Sequence, residues 1–487
     1  MIIKSLYVKD FYILKNFEIR FDNNISILIG ENGSGKSTII ELIADIFGHL
    51  HKYFVLNDRT AEFVDEYRIL FETNVDDSLY EVELHSHFVN QISNTFKPQI
   101  WINGQNYSIT QIEDKFDGFY KFLPSRIAIN YSGVTDRLKL LSEHFEKKYT
   151  QAIIKDENRY SLTPLFLPTS RPFYYIKPEY ISIITLSLLL SKKEEKIDFL
   201  KQYLDFNLDS CEINITFKKP SWAKSKATNK WWGISGDIAL QFFRSLDLHA
   251  DSEKFSEDGE SVMYSFYGIP SLYDVFKTLE AVNEDAIFII LDTLLYDDLL
   301  NDIIISWDDI ESGEQIGLDR LSEGQKELIQ TIGLFTLWDE HNTLFLFDEP
   351  DVYLHPKWQR KFIPFLQRKI SSDSSIIIST HSPSIVSDIK KEQLYLLRNG
   401  RVITKQFEHY GKNVDQILID FFDIDNTRNI HVSTLIKEIR NKIVSGDYNS
   451  TEYQEMFTKL RALLGNDDKE VLALKLDEIK LRHAENK

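Results

Sequence analysis

Residues 30–38, Gly30-Glu31-Asn32-Gly33-Ser34-Gly35-Lys36-Ser37-Thr38, fit the pattern G-x-x-x-x-G-K-[ST] in full. An apolar strand precedes them and an amphipathic helix follows, the context in which this pattern cradles phosphate. Its glycines let backbone N–H groups curl around phosphate oxygens. The helix that follows presents its positive end to the same anion. Lys36 neutralises the outer phosphates, and the Ser37 hydroxyl is a ligand for Mg²⁺. The expected nucleotide contacts are Gly30, Asn32, Gly33, Ser34, Gly35, Lys36, Ser37 and Thr38. A second group lies far along the chain in TLFLFDEPDVYLHP, residues 343–356. Asp348 ends an apolar run and is placed to hold the Mg²⁺ shell. Glu349 follows it and would orient and deprotonate a water in line with the γ-phosphorus. His381 stands just past another apolar strand, SIIISTHSP, within reach of the same phosphate. The third feature is LDRLSEGQKELIQ, residues 319–331. Ser322, Gly324 and Gln325 open a helix there, with a hydroxyl and free N–H groups that make a second anion site.

These residues need elements to hold them. Alternation in IIKSLYVKDF and FEIRF, then the apolar ISILIG, predicts strands over the first thirty residues. YRILFE, LYEVELH and QIWINGQNYSI predict antiparallel strands, with Asn103-Gly104 as a hairpin turn. RIAINYSG, residues 126–133, predicts a further buried strand. From about 136 to 310 long helical stretches take over, broken by strand-like INITFK. Strand and helix then alternate through residue 410, as parallel strands with crossover helices do. The expected organisation is an α/β head made of residues 1–135 and 311–410. It comprises a mixed sheet with its phosphate loop and an antiparallel β subdomain. A mostly helical insertion occupies 136–310 and a helical tail 411–487.

Whole-chain properties narrow the class. A length of 487 residues suits about two to four domains. The formal net charge of −19 argues against coating nucleic acid with the whole surface. One local exception is the Lys/Trp loop 218–233, where Lys218, Lys219, Lys224, Lys226 and Lys230 alternate with Trp222, Trp231 and Trp232. Cation plus aromatic is the composition of a single-strand surface, so this loop is a candidate DNA or RNA contact. No apolar run is long enough to span a bilayer, and the amino terminus lacks a signal peptide. With its single cysteine, Cys211, the chain is expected in the cytoplasm and away from membranes.

The pattern L-S-x-G-Q followed by Asp-Glu and then His resembles the signature of ABC-class ATPases, over about residues 1–50 and 315–405. The resemblance implies ATP and Mg²⁺ as cofactors. It also implies an ATP-sandwiched dimer in which Ser322, Gly324 and Gln325 of one copy close over the nucleotide of the other. Leu354-His355-Pro356 stands where transporter subunits continue into Leu-Asp. DEPDVYLHPKWQR looks like the RecF and overcoming-lysogenization-defect branch. Within that branch LPSRIAINYSG, PFYYIKPEYISIITLSLL, HYGKNVDQILIDFF and LLGNDDKEVLALKLDEI resemble the ATPase of Septu anti-phage systems and of retrons that carry the same ATPase. That likeness implies a partner HNH nuclease and possible higher oligomers. Two features depart from the class. The Gln usual after RIAIN is absent, with Tyr131 and Ser132 nearby, and Tyr12 replaces an Arg common in the amino-terminal turn. Two other functions compete. One is a RecF-like DNA repair ATPase. The other is a self-contained Toprim-type nuclease, for which Asp423-Ile424-Asp425 is the sole acidic candidate in the tail.

Overall fold

The apolar runs beside the chemical motifs form the middle of one seven-stranded sheet. Its order is Arg401–Ile403, Leu394–Arg398, Ile25–Gly30, Ser375–Ser379, Thr343–Asp348, Arg126–Tyr131 and Phe173–Tyr175. Neighbours are parallel except the edge pair Leu394–Arg398 and Arg401–Ile403. Ile25–Gly30, Thr343–Asp348 and Ser375–Ser379 are buried at every position. Covered on both faces, they read as unbroken apolar runs instead of alternating ones. The register sets Gly30 opposite Leu397, and Asp348 opposite both Ser379 and Tyr131. The motifs therefore share the carboxyl edge of the sheet, the usual ligand edge of open α/β folds.

This computed structural model describes residues 1–58, 66–86, 98–131, 136–143, 145–146, 171–204, 206–221, 223, 231–232, 237–279, 283–309, 312–339, 342–403, 409–422 and 428–485. It forms two units, Met1–Gly411 and Lys412–Lys487.

In the first unit the helix Lys36–Phe54 lies between two sheets. The second sheet has six antiparallel strands in the order Leu14–Arg20, Ile2–Phe11, Tyr67–Val75, Ser78–Ser86, Gln99–Ile102 and Gln105–Tyr107. Asn103 and Gly104 make its last turn with φ of 49° and 75°, a left-handed pair suited to a two-residue hairpin. Helix residues Ile39, Leu42, Ile43 and Phe47 share one core with Leu28 and Leu344 of the large sheet and Leu6 and Phe71 of the antiparallel one. Phe47 and Phe71 meet edge to face at 5.8 Å between ring centres. Sandwiched in this way, the helix is apolar on most of its circumference.

The insertion contains the helices Tyr180–Leu189 and Glu194–Leu204 within the apolar stretch from residue 180, and also Asp237–His249, Ile269–Thr278 and Glu284–Tyr296. It also carries a third sheet, with strands ordered Ser252–Phe255, Ser261–Tyr267, Glu212–Lys218, Leu300–Asp308 and Gln315–Gly317. Only INITFK announced it, because its alternation is clean: Ile213, Ile215 and Phe217 are buried while their neighbours are not. Phe217 packs its ring on Phe242, Phe243 and Tyr264. Buried ion pairs knit this region together and to the head. Arg126 of the head meets Asp285 at 2.6 Å beneath the Trp338 ring. Within the insertion Lys196 meets Glu284 at 2.8 Å and also donates to the Leu337 carbonyl of the head, and Arg171 bridges Glu146 and Asp292, each at 3.1 Å. Removing one partner of such a pair leaves a charge stranded away from water, so these links fix geometry more than they add stability.

Among its described residues the second unit has four helices, Val414–Phe422, Ile430–Val444, Thr451–Leu464 and Lys469–Glu485. The last three enclose their own core of Leu435, Ile439, Ile443, Tyr453, Phe457, Leu460, Val471 and Leu474. Among the described residues no helix is long and apolar enough to cross a membrane. Cys211 is buried, which pushes its thiol up to about 12.

Candidate active site

The loop Gly30 to Thr38, the expected phosphate cradle, is shaped by its glycines. Gly30 has φ 152°, and a Cβ there would lie 2.3 Å from the Leu397 carbonyl oxygen. Gly35, at φ 108°, starts the helix Lys36–Phe54 and sits against Ile13 and Leu14. Asn32 and Gly33 are exposed at the tip, and Thr38 is half-buried in the first helical turn. Ser34 Oγ is buried and has no hydrogen-bond partner among the described residues. A hydroxyl left so inside a phosphate loop suits an incoming phosphate oxygen. Lys36 is 4% exposed, and its Nζ donates to the carbonyls of Gly30 at 3.0 Å and Glu31 at 3.2 Å. Burial lowers its pKa, opposed by Glu349 and Asp348. The ammonium thus lies inside the loop, tethered by weak acceptors that phosphate oxygens can replace.

The acidic side is equally constrained. Ser37 Oγ donates to Asp348 Oδ1 at 3.0 Å, and Ser379 Oγ donates to the same oxygen. Burial raises the Asp348 pKa, the two hydroxyls lower it and Glu349 raises it. Ser37 and Asp348 are hard oxygen donors side by side, a fit for Mg²⁺, which binds one or two protein oxygens and keeps water and phosphate as its other ligands. Glu349 is a non-glycine residue at φ 53°. Its N–H is held by Ser379, through Oγ at 3.0 Å and the carbonyl at 3.1 Å. That left-handed turn swings the carboxylate away from the strand direction, and Glu349 Oε1 lies 3.1 Å from His381 Nε2. Burial, then Lys36, lowers the His381 pKa, with Asp348 opposing. A neutral imidazole donating through Nε2 holds one carboxylate oxygen and leaves the other for a water. Backbone strain of this kind persists where the surroundings over-determine it.

The expected second anion site has a different local state. Ser322 caps the helix Glu323–Leu328 in a reciprocal box: its Oγ accepts from Gln325 N, and Gln325 Oε1 accepts from Ser322 N at 3.0 Å. The hydroxyl assigned to an anion is engaged in that cap. Gly324 is required by packing, because a Cβ there would sit 2.7 Å from the Tyr353 carbonyl oxygen. The helical path continues through a π-turn at Ile329–Gly333 into Leu334–Trp338.

Several residues at the site escaped sequence reasoning. Ser379 joins Asp348 to Glu349, and its only sequence signal was its place at the strand end before His381. Asn130 Nδ2 donates to Glu327 Oε1 at 2.7 Å, linking the strand Arg126–Tyr131 to the Ser322 helix. Burial, opposed by Asn130 and aided by Asp351 and Glu323, raises Glu327 to about 7. Arg137 pairs with Glu41 at 3.0 Å and lies 4.7 Å over the Tyr12 ring. Tyr12 itself is 58% exposed in a left-handed turn. Other sequence candidates fall elsewhere. Ser132, Asp423 to Asp425, and Trp222, Lys224, Lys226 and Lys230 of the Lys/Trp loop lie outside the described residues. Of the rest of that loop, Lys218 pairs with Asp298, Lys219 pairs with Glu260, and buried Trp232 donates to the Gly259 carbonyl.

Residues 1–386 match a family model described as AAA ATPase domain. The chain is 23% identical to the retron Ec83 probable ATPase of Escherichia coli, across 93% of this chain and 82% of that protein. It is 30% identical to Septu protein PtuA of Bacillus thuringiensis, across 34% of this chain and 45% of that protein. To the DNA replication and repair protein RecF of Rickettsia massiliae (strain Mtu5) it is 29% identical, across 31% of this chain and 42% of that protein.

Proposed function

This chain belongs to the AAA ATPase domain family and is an ATPase, and from that premise we propose that it is the ATP-hydrolysing subunit of an anti-phage defence system, pairing around ATP and controlling a separate nuclease. One observation carries the hydrolytic reading: Ser37, Asp348, Ser379, Glu349 and His381 form a connected chain of contacts on one sheet edge, and the Lys36 ammonium feels the charges of Glu349 and Asp348. In this reading the loop Gly30–Thr38 binds the triphosphate, with Lys36 exchanging its carbonyl tethers for phosphate oxygens. Ser37 and Asp348 hold Mg²⁺, which when bound neutralises charge developing on the phosphates. Glu349 takes the proton of the attacking water, and His381 orients Glu349. Ser322, Gly324 and Gln325 act on the nucleotide of a second copy. The hydrogen bonds of Ser322 and Gln325 among the described residues are local to their own cap, so in this reading the Ser322 hydroxyl exchanges its cap contacts for the phosphate of a second copy.

The defence reading rests on the likeness to a retron ATPase, which extends well past the phosphate-binding motifs. The Septu likeness supports an HNH nuclease as the partner. The RecF likeness favours a second reading, a DNA repair ATPase, but it covers less than a third of the chain. Co-expression with the adjacent gene product, sizing, and cleavage assays on plasmid and single-stranded DNA across ATP concentrations separate the readings. A stable complex that cuts, with this chain inert by itself, is expected. Metal-dependent cutting by this chain alone, or tight DNA binding without a partner, overturns the proposal.

A further inference from the structure

The third sheet leaves one lane open. Leu300–Asp308 pairs on one side with Glu212–Lys218 from Leu300 through Ser306. On its other side Gln315–Gly317 covers only Ser306, Trp307 and Asp308. The chain then coils into the tight turn Leu318–Arg320 and leaves the lane. Among the described residues no strand pairs with Asp302–Ile305 on that side. A groove of about 500 Å³ runs there, touching Asp302, Ile303, Ile304 and Ile305 in succession. Consecutive side chains of a strand point to opposite faces. A groove that meets four in a row therefore follows the backbone edge and does not lie over one face. Ile304 is 46% exposed beside it.

The rim chemistry identifies the occupant. Glu179, Asp302 and Asp319 line the groove and are exposed, and among the described residues none has a cationic partner. The one basic lining residue, Lys326, is paired with Glu323 at 3.0 Å. The groove thus offers unpaired backbone groups, apolar surface and unbalanced negative charge together. We propose that it accepts an extended, basic segment of a partner protein as an added strand. Its backbone would pair with Asp302–Ile305, its apolar side chains would cover Ile304, and its Lys or Arg side chains would meet the three carboxylates. Nucleic acid is disfavoured by the same carboxylates. A second copy of this edge would set carboxylates against carboxylates. The inference goes beyond ATP hydrolysis and does not depend on it. Its location has a consequence for coupling, since Leu318, Asp319 and Lys326 flank the capped turn at Ser322.

The test uses the full chain and three fluorescent nonapeptides in an anisotropy titration: alternating Lys–Val, alternating Glu–Val, and the Lys–Val peptide with its central valines replaced by proline. The last keeps the charge and cannot pair as a strand. Saturable binding of the Lys–Val peptide is expected, at least about tenfold tighter than either control. Asp302→Lys combined with Asp319→Lys should weaken it by about tenfold or more, as should Glu179→Lys in a separate protein, with circular dichroism unchanged. Equal binding of the proline peptide would reduce the groove to a diffuse acidic surface and overturn the proposal. No saturable binding at millimolar peptide, indifference to both sets of charge reversals, competition by single-stranded DNA, or self-association lost in the double variant would overturn it as well.

Discussion

Replacing Glu349 by glutamine and, separately, by glycine distinguishes its chemical role from its conformational strain. Glutamine keeps the side-chain volume, the left-handed backbone at φ 53° and an oxygen for His381 to hold. It removes only the proton acceptor. General-base catalysis contributes about 10²–10⁴-fold, or about 2.7–5.5 kcal/mol at the transition state. Turnover should fall by that factor with ATP affinity unchanged. Glycine removes the base too, so its turnover should fall equally, but its stability ledger differs. Relief of the left-handed penalty contributes about 1–2 kcal/mol. Against this stand about 0.5–1 kcal/mol of added unfolded-chain entropy and at most about 1 kcal/mol for the half-exposed contact with His381. The terms nearly cancel, so Glu349→Gly should melt close to wild type, whereas glycine at an ordinary helical position costs about 1 kcal/mol. Phosphate release at saturating ATP and Mg²⁺, nucleotide binding and a thermal melt measure the three quantities. Glutamine retaining more than about a tenth of turnover, or losing affinity in parallel, would refute the assignment of the base. A glycine variant destabilised by well over about 1 kcal/mol would refute the strain argument.

Lys36→Ala should weaken ATP binding by about tenfold or more, since a charge-assisted contact contributes about 1.5–3 kcal/mol; equal affinity in a binding titration would contradict the cradle. Ser322→Arg should leave nucleotide binding by a single copy intact and block ATP-dependent pairing. Mixing it with Lys36→Ala should restore part of the ATPase rate, because one intact composite site can form per dimer, and no recovery despite verified subunit exchange would count against sharing. Gly30→Ala drives a Cβ against the Leu397 carbonyl at 2.3 Å, and should cost about 2 kcal/mol or more along with ATP binding, read by melting and titration. Burial raises the Glu327 pKa to about 7 in the folded chain, against 4.5 for an ordinary glutamate. The folded chain therefore holds a proton that the unfolded chain releases, and this contribution to stability falls as pH rises from about 5 to 7, by up to about 3 kcal/mol. Glu327→Gln cannot ionise and should raise the melting temperature at pH 8 but not at pH 5; equal shifts at both would disprove the linkage.

The sequence by itself determined the candidates whose chemistry depends on local order. A loop that cradles phosphate needs glycines, a lysine and a hydroxyl at fixed spacing, so Gly30 to Thr38 stood out as the proposed cradle without a fold. Asp348, Glu349 and His381 were legible for a related reason: a buried parallel strand is an apolar run, and the residues just past it lie at the sheet's ligand edge. The strands that build that edge were visible on the same grounds, and the Asn103-Gly104 hairpin followed from turn chemistry. What the sequence could not express are contacts between residues 31 to 197 positions apart. Ser379 joins Asp348 to Glu349 only because two strands align in register. Arg137, Glu41 and Tyr12 meet only because three separate segments converge, and Asn130 reaches Glu327 across the boundary between a strand and a distant helix. Most of the insertion's sheet was hidden because Ser252–Phe255 and Gln315–Gly317 are short, while Ser261–Tyr267 and Leu300–Asp308 break a strict apolar–polar alternation. The open lane beside Asp302–Ile305 exists only because the chain turns away after Gly317. Local patterns choose an element and its chemistry, but pairing partners, open edges and buried ionisable groups are properties of packing, which tertiary structure alone decides.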